Sequence, residues 1–141
     1  MSVSIDHIHV FVGDQYEAAE WYRRVLGLEI VTEHEHWAKD GGPLTISGDG
    51  GGSGIALFAR PSEKSLNQST VAFRLGGEEF IEFTGRLEAL DLKMRDGEPL
   101  NGGKISDHGE SWSLYFLDPW GNPIEVTTYD YEQVGSGLGI G

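Results

Sequence analysis

The segment from Ile5 to Val12 alternates between apolar and polar positions. Successive side chains of a strand point to opposite faces, so this alternation predicts a β-strand with one apolar side. The apolar side carries Ile8, Val10 and Val12, and the opposite side carries His7, His9 and Phe11. The chain therefore opens on a strand whose two faces differ in chemistry.

A helix is predicted directly after this strand. Asp14 is a candidate N-cap with Glu17 three residues later, and an apolar stripe at helical spacing runs up to Gly27, which ends the helix. The segment 28–37 predicts further strands, and the apolar run 55–58 closes the first half of the chain. The element order predicted for this half is β-α-β-β-β.

The second half of the sequence repeats the first. A shift of about 63 positions lays residues 7–13 on 70–76, and in both places a strand leads into a helix. The second helix is predicted over residues 78–90, and two strands, 112–117 and 122–128, complete the repeat.

A turn between the last two strands fixes how they pair. In Asp118-Pro119-Trp120-Gly121, Pro119 and Gly121 suit a type I turn followed by a glycine bulge. Such a loop pairs Asp118 with Asn122 and sets Tyr115 opposite Glu125 on one face. The other face is then apolar, with Leu114, Phe116, Ile124 and Val126.

Size and composition bound the architecture. A chain of 141 residues has room for one structural domain. We predict a first module over residues 1–62, a second over 63–130, and a flexible Gly-rich tail over 131–141.

Charge and residue usage exclude several classes of partner. The chain has 10 Lys and Arg residues and 23 Asp and Glu residues, which gives a formal net charge of -13. This charge disfavours binding to nucleic acid and to anionic membrane surfaces. The chain has no cysteine, so only His, Asp and Glu remain as strong metal ligands. No apolar run is long enough to span a bilayer, and we expect a cytoplasmic protein.

Three motifs carry a family resemblance: the opening 6–8 (Asp-His-Ile), the helix end 21–28 (Trp-Tyr-Arg-Arg-Val-Leu-Gly-Leu) and the stretch 118–125 (Asp-Pro-Trp-Gly-Asn-Pro-Ile-Glu). Together with the paired modules, they make the chain resemble the vicinal oxygen chelate superfamily over residues 4–128. That superfamily includes glyoxalase I, the bleomycin- and fosfomycin-resistance proteins and the extradiol dioxygenases. The resemblance implies an α+β fold in which two βαβββ modules form an open, cleft-bearing β-barrel-like sheet with helices on the outside. It also implies a divalent metal in the cleft and, frequently, a homodimer.

The second module resembles the extradiol dioxygenase signature in particular. His108, the pair Leu114-Tyr115, the turn at 118–121 and Glu125 have its spacing. The resemblance implies that Glu125 is a metal ligand and that His108 and Tyr115 are catalytic groups acting on the bound substrate. In that family two His and one carboxylate hold iron(II).

The set of metal ligands that the resemblance implies is incomplete in this sequence. His7 occupies the place of the first His ligand, but Thr70 stands where the second is expected. A neutral hydroxyl is a poor ligand for Fe, Mn, Zn or Ni. His9 shares a face with His7 and either replaces the missing ligand or contacts substrate. The candidate substrate pocket also takes in Trp37, Phe58 and Trp112.

Two functions therefore stay open. The first is a divalent-metal-dependent enzyme, a dioxygenase or lyase, acting on a small oxygen-rich or aromatic substrate. The second is a metal-free protein that binds and sequesters a small molecule, as bleomycin-resistance proteins do. Thr70 favours the second, as does Leu57, the first-half counterpart of Glu125. The acidic charge suits a cationic ligand.

Overall fold

The computed structural model describes residues 2, 4–60 and 68–141, which form two compact units, Met1–Asn67 and Gln68–Gly141. The module boundary predicted at residue 62 lies outside the described residues. Each unit contains a four-stranded sheet with helices, so the fold class is α+β as predicted. Among the described residues, no helix combines the length and the apolar character needed to cross a bilayer.

The first unit has the predicted order of strands and helix. Its elements are β1 (His7–Val12), α1 (Gln15–Leu26), β2 (Glu29–Ile30), a 3₁₀ helix (Thr32–Asp40), β3 (Leu44–Ser47) and β4 (Gly54–Ala59). The sheet order is β1-β4-β3-β2, in which β1 and β4 are parallel and the other pairs are antiparallel. On β1, Val10 and Val12 are buried while His7 and His9 are exposed, which confirms the predicted faces.

Local sequence signals set both ends of α1. The Asp14 carboxylate accepts the backbone N–H of Glu17 at 2.8 Å, which satisfies one of the free donors of the first turn. At the other end, Gly27 is left-handed with φ 70° and donates its N–H to the Arg23 carbonyl at 2.9 Å. The helix buries Ala18, Ala19, Tyr22 and Val25.

The segment 28–37 differs from the prediction of strands. Only Glu29–Ile30 is a strand, and Thr32–Asp40 forms a 3₁₀ helix in which no residue is buried. A run of polar residues offers no apolar face to a sheet. In a 3₁₀ helix residues three apart lie above one another, and the rings of His34 and Trp37 stack with centroids 4.3 Å apart.

The second unit repeats the first with two additions. Its elements are β5 (Val71–Arg74), α2 (Gly77–Gly85), α3 (Leu87–Leu90), β6 (Ser106–Asp107), β7 (Trp112–Leu117), β8 (Pro123–Thr128) and α4 (Tyr131–Leu138). A short 3₁₀ turn, Gly102–Lys104, precedes β6. The sheet order is β5-β8-β7-β6, in which β5 and β8 are parallel, as β1 and β4 are in the first unit. The single helix predicted over 78–90 is divided at Arg86.

The C-terminal segment differs from the flexible tail predicted for 131–141. Helix α4 covers Tyr131–Leu138 and buries Val134 completely. The Trp112 indole N–H donates to the Tyr131 carbonyl at 2.9 Å, and the two rings stack at 4.9 Å. A Cβ at Gly135 would lie 3.0 Å from the Ile140 carbonyl oxygen, so the glycine allows the last residues to pack closely against α4. The glycine content of this segment led to the prediction of a flexible tail, but in the structure the small size of glycine allows close backbone packing.

The β7–β8 hairpin has the predicted register. The backbone N–H of Asp118 donates to the Asn122 carbonyl at 2.9 Å, and Gly121 is left-handed with φ 89°. Tyr115 lies opposite Glu125 in the ladder. The apolar face predicted for the two strands is buried: Leu114, Phe116, Ile124 and Val126.

The loop between β3 and β4 is organised around one carboxylate. Asp49 Oδ1 accepts the Ser47 hydroxyl at 2.6 Å and the Ser53 backbone N–H at 3.0 Å. These donors stabilise the ionised form and lower the pKa of Asp49 from 3.8 to about 2, the Ser47 hydroxyl most and the Ser53 N–H next.

We expect this loop to lose protection only in strong acid. Because the native pKa of Asp49 is below its unfolded value, its contribution to stability is complete above pH 3.8 and is lost as the pH falls through about 2. A carboxyl-carbon NMR titration should give a midpoint near 2. In Asp49→Asn, the protection factors of the loop amides, which are corrected for the intrinsic pH dependence of exchange, should no longer change across this range. A wild-type midpoint at the ordinary value would contradict the assignment.

Candidate functional site

Polar groups gather on one face of the β7–β8 pair in the second unit. Tyr115 is directly opposite Glu125, which is also in register with Ala72 of β5. Tyr115 is 38% exposed and Glu125 is half-buried, so both side chains are accessible. The structure thus brings together two of the predicted site residues.

His108 joins this pair through a tight turn. Its Nε2 lies 3.0 Å from the Tyr115 hydroxyl oxygen, within hydrogen-bond distance. The turn depends on Gly109, which is left-handed with φ 82° and donates its N–H to Asp107 at 2.8 Å. That N–H first, and the Tyr131 hydroxyl second, lower the pKa of Asp107. An ionised Asp107 therefore holds the loop that presents His108.

The surroundings of Tyr115 favour the protonated form of its hydroxyl. Burial first, and the charge of Glu125 second, raise the pKa of the Tyr115 hydroxyl above 10.0. A protonated phenol can donate to a neutral imidazole nitrogen or to an oxygen of a bound molecule. Tyr115 and His108 form a hydrogen-bonded dyad suited to moving a proton.

A buried hydroxyl orients the Glu125 carboxylate. The Ser113 hydroxyl lies 2.8 Å from Glu125 Oε2 and donates to it. Ser113 is fully buried and also contacts the Thr127 hydroxyl at 3.0 Å, and Thr127 in turn donates to the Trp112 carbonyl at 3.2 Å. Glu125 is thus positioned by a network that reaches into the core.

Thr70 and Tyr115 line one cavity of the second unit, with a volume of about 480 Å³. The Arg95 guanidinium donates to the Thr70 hydroxyl at 3.4 Å, which brings a cation to the position of the missing ligand. The rest of the lining is apolar apart from Asp96: Met94, Phe116, Pro123 and Ile124. This volume is within the range of small-molecule pockets.

Two histidines lie side by side on β1 of the first unit. His7 Nε2 is 3.2 Å from His9 Nε2, and the rings stack with centroids 5.1 Å apart. His7 Nδ1 is 2.7 Å from the Asp6 carboxylate. The ring of His9 also contacts Phe58, with centroids 4.7 Å apart. A cavity of about 160 Å³ has His7, His34 and Trp37 among its lining residues.

The remaining predicted pocket residue has a different role. Trp112, expected to line the pocket, is a core residue that is 3% exposed and stacked on Tyr131. His7 and Glu125 belong to different units, and their binding to one ion stays a prediction. Among the described residues of either unit, no three His, Asp or Glu side chains form a metal-binding cluster.

Sequence reasoning missed three contributors to these sites: Asp6, Arg95 and Ser113. Ser113 could have been found, because it is two residues before Tyr115 and therefore on the same face of β7. Asp6 directly precedes His7, but no spacing rule marks it as a partner. Arg95 lies in an irregular connection, where sequence does not fix which strand it meets.

The chain matches a family model and several solved folds. The model of the Glyoxalase/Bleomycin resistance protein/Dioxygenase superfamily matches residues 4–126. The fold is similar to that of oxidase ChaP-H2, with a TM-score of 0.69 and 22% identity over 96% of this chain and 100% of that one. A glyoxalase family protein from Bacillus anthracis has a TM-score of 0.68 and 22% identity over 92% of this chain and 98% of that one. The fosfomycin resistance protein FosX of Listeria monocytogenes, in complex with Mn(II) and sulfate, has a TM-score of 0.63. Its identity to this chain is 20%, over 98% of this chain and 99% of that one. No curated protein sequence matches the chain.

Proposed function

Because the chain belongs to the Glyoxalase/Bleomycin resistance protein/Dioxygenase superfamily, we propose that it is a divalent-metal-dependent enzyme acting on a small oxygen-rich or aromatic substrate. The observation that carries the proposal is the His108–Tyr115 hydrogen bond of 3.0 Å, formed beside Glu125 in strand register. A simple binding protein needs no such proton-transfer pair next to a carboxylate. From the sequence we retain a cytoplasmic homodimer as a prediction, which sedimentation and fractionation can test.

The donor groups present fit a divalent ion in part. His7 is bonded through Nδ1 to Asp6, which is the usual arrangement of a metal-binding imidazole and leaves Nε2 for the ion. Ser113 orients the Glu125 carboxylate, a second donor of suitable type. Thr70 does not fit, since it is neutral and accepts from Arg95. His7 and Glu125 are therefore the residues proposed to hold the ion.

Each protein group then has a defined task. A divalent ion supplies, when bound, Lewis-acid polarisation of a substrate oxygen. Tyr115 donates its proton to an oxygen that gains negative charge, and His108 returns a proton to the phenol through Nε2. Tyr115 also lines the cavity, whose largely apolar wall offers a contact surface to the carbon skeleton of a substrate.

The proposal predicts that metal binding stabilises the protein through Glu125. At about 100 times Kd, a divalent ion that binds only the native state adds about 2.7 kcal/mol to the free energy of unfolding. Thermal unfolding with Mn, Fe, Co, Ni or Zn measures this, and elemental analysis of the purified chain identifies the resident ion. Glu125→Gln should remove the stabilisation, whereas Glu110→Gln, at an exposed loop position, should keep it. A metal-free chain that none of these ions stabilises would refute the proposal.

Metal-free binding is the second candidate, and the contact between Thr70 and Arg95 favours it. A guanidinium beside an apolar cavity suits a planar anion better than the cationic ligand expected from net charge alone. In the same melting experiment this function predicts stabilisation by aromatic carboxylates, with no turnover and no effect of metal.

A further inference from the structure

The spacing of the two imidazoles on β1 matches that of two ligands on one ion. Zinc binds imidazole nitrogen at about 2.0–2.1 Å, so two such nitrogens at ordinary coordination angles are about 2.9–3.4 Å apart. His7 Nε2 and His9 Nε2 are 3.2 Å apart. The pair can therefore bind one ion without rearrangement of the strand.

Asp6 selects the form of His7 that can bind a metal. Its carboxylate lies 2.7 Å from His7 Nδ1 and holds the ring proton there, so the lone pair is on Nε2. Without metal, His9 donates its own Nε2 proton to this lone pair. With metal, His9 would instead carry its ring proton on Nδ1, so that the Nε2 atoms of both rings would offer their lone pairs to the ion.

The scaffold beneath the pair is rigid. All six residues of β1 pair with β4, from His7 with Gly54 to Val12 with Ala59. Phe58 of β4 packs against the His9 ring and restricts its rotation. Sites built on strands hold their ligands more accurately than sites on loops.

We infer that His9 is a metal ligand, so that a His-x-His chelate on β1 supplies the imidazole that is absent at Thr70. The inference rests on the proposed function, because it assigns a further ligand to the same ion. Thr70 accepts from the Arg95 guanidinium, and a cation beside it disfavours a second cation there. Two imidazoles on one strand provide the nitrogen ligands without any contribution from Thr70.

The test uses Zn²⁺ alone with the full chain after treatment with EDTA. Calorimetric titration and elemental analysis give affinity and stoichiometry for the wild type, His9→Gln and His36→Gln. His36 is the matched control, an exposed histidine in the 3₁₀ helix. We expect His9→Gln to weaken Zn²⁺ binding at least about tenfold, by analogy with losses at zinc sites, and His36→Gln to leave it unchanged. Circular dichroism checks that both variants fold.

Nitrogen NMR of the histidine rings separates a ligand from a supporting residue. In the zinc complex, His9 Nε2 should be unprotonated and shifted together with His7 Nε2. Equal affinity of His9→Gln and wild type would overturn the inference and leave the proposed function intact. Weaker binding with His9 Nε2 still protonated would also overturn it, because His9 would then act only through its hydrogen bond to His7. Failure of the wild type to bind any zinc would overturn the inference, and failure with every other ion as well would overturn the function.

Discussion

Replacing Asp118 by alanine is expected to lower the free energy of unfolding by about 3–5 kcal/mol, because buried donors lose their acceptor and each such loss costs about 1–3 kcal/mol. Asp118 Oδ1 accepts the backbone N–H groups of Trp120 and Asn122, and Oδ2 accepts the Asn122 side-chain amide at 2.8 Å. Both Asp118 and Asn122 are almost fully buried. Urea unfolding monitored by tryptophan fluorescence measures the change.

The matched variant is Asp118→Asn, which keeps one oxygen acceptor but turns an amide toward the Asn122 amide. It should lose less stability than the alanine variant. The turn also fixes the register that sets Tyr115 opposite Glu125, so the alanine variant should lose metal-dependent stabilisation before it unfolds. A loss below about 1 kcal/mol would show that water replaces the carboxylate in the turn.

Removing either member of the His108–Tyr115 dyad is expected to reduce turnover about 10²–10⁴-fold, the usual contribution of general acid–base catalysis. The variants are His108→Gln and Tyr115→Phe, and the quantity measured is kcat on the first substrate that the metal-loaded enzyme converts. Both positions are exposed or partly exposed, so stability should change little. Because the two side chains share one hydrogen bond, the double variant should be no slower than the slower single variant.

Tyr129→Phe is the matched control for this set of single and double variants. Tyr129 is an exposed tyrosine of the same unit whose ring lies under the Arg74 guanidinium, away from His108 in sequence and in contacts. It should keep wild-type turnover. Multiplicative effects of the two dyad substitutions would show that His108 and Tyr115 act independently and would remove the observation on which the enzymatic function rests.

The parts of the fold that sequence predicted depend on short-range chemistry. Asp14 and Gly27 bound α1 through contacts within four residues of each end. The Pro119 and Gly121 turn set the β7–β8 register by itself, and that register placed Tyr115 beside Glu125. In each case the residues that decide the structure are close in sequence, so the pattern alone is sufficient.

The parts that sequence did not predict depend on contacts distant along the chain. Helix α4 is held by Trp112, whose indole N–H donates to the Tyr131 carbonyl from 19 residues away along the chain. Arg95 reaches Thr70 from an irregular connection. The 3₁₀ helix replaced a predicted strand because its polar residues have no apolar face to bury. Such outcomes follow from tertiary neighbours, which single-sequence periodicity does not contain.

The parallel pairing of β1 with β4 determines when the histidine strand is completed during synthesis. Within its own sheet, β1 has β4 as its hydrogen-bonded neighbour, and β4 is the last strand of that unit to leave the ribosome. Closing this long-range pair is slow compared with forming α1 or an antiparallel hairpin. The nascent chain therefore carries His7 and His9 on an unpaired segment until translation has passed Ala59, and the two imidazoles reach their 3.2 Å spacing only afterwards.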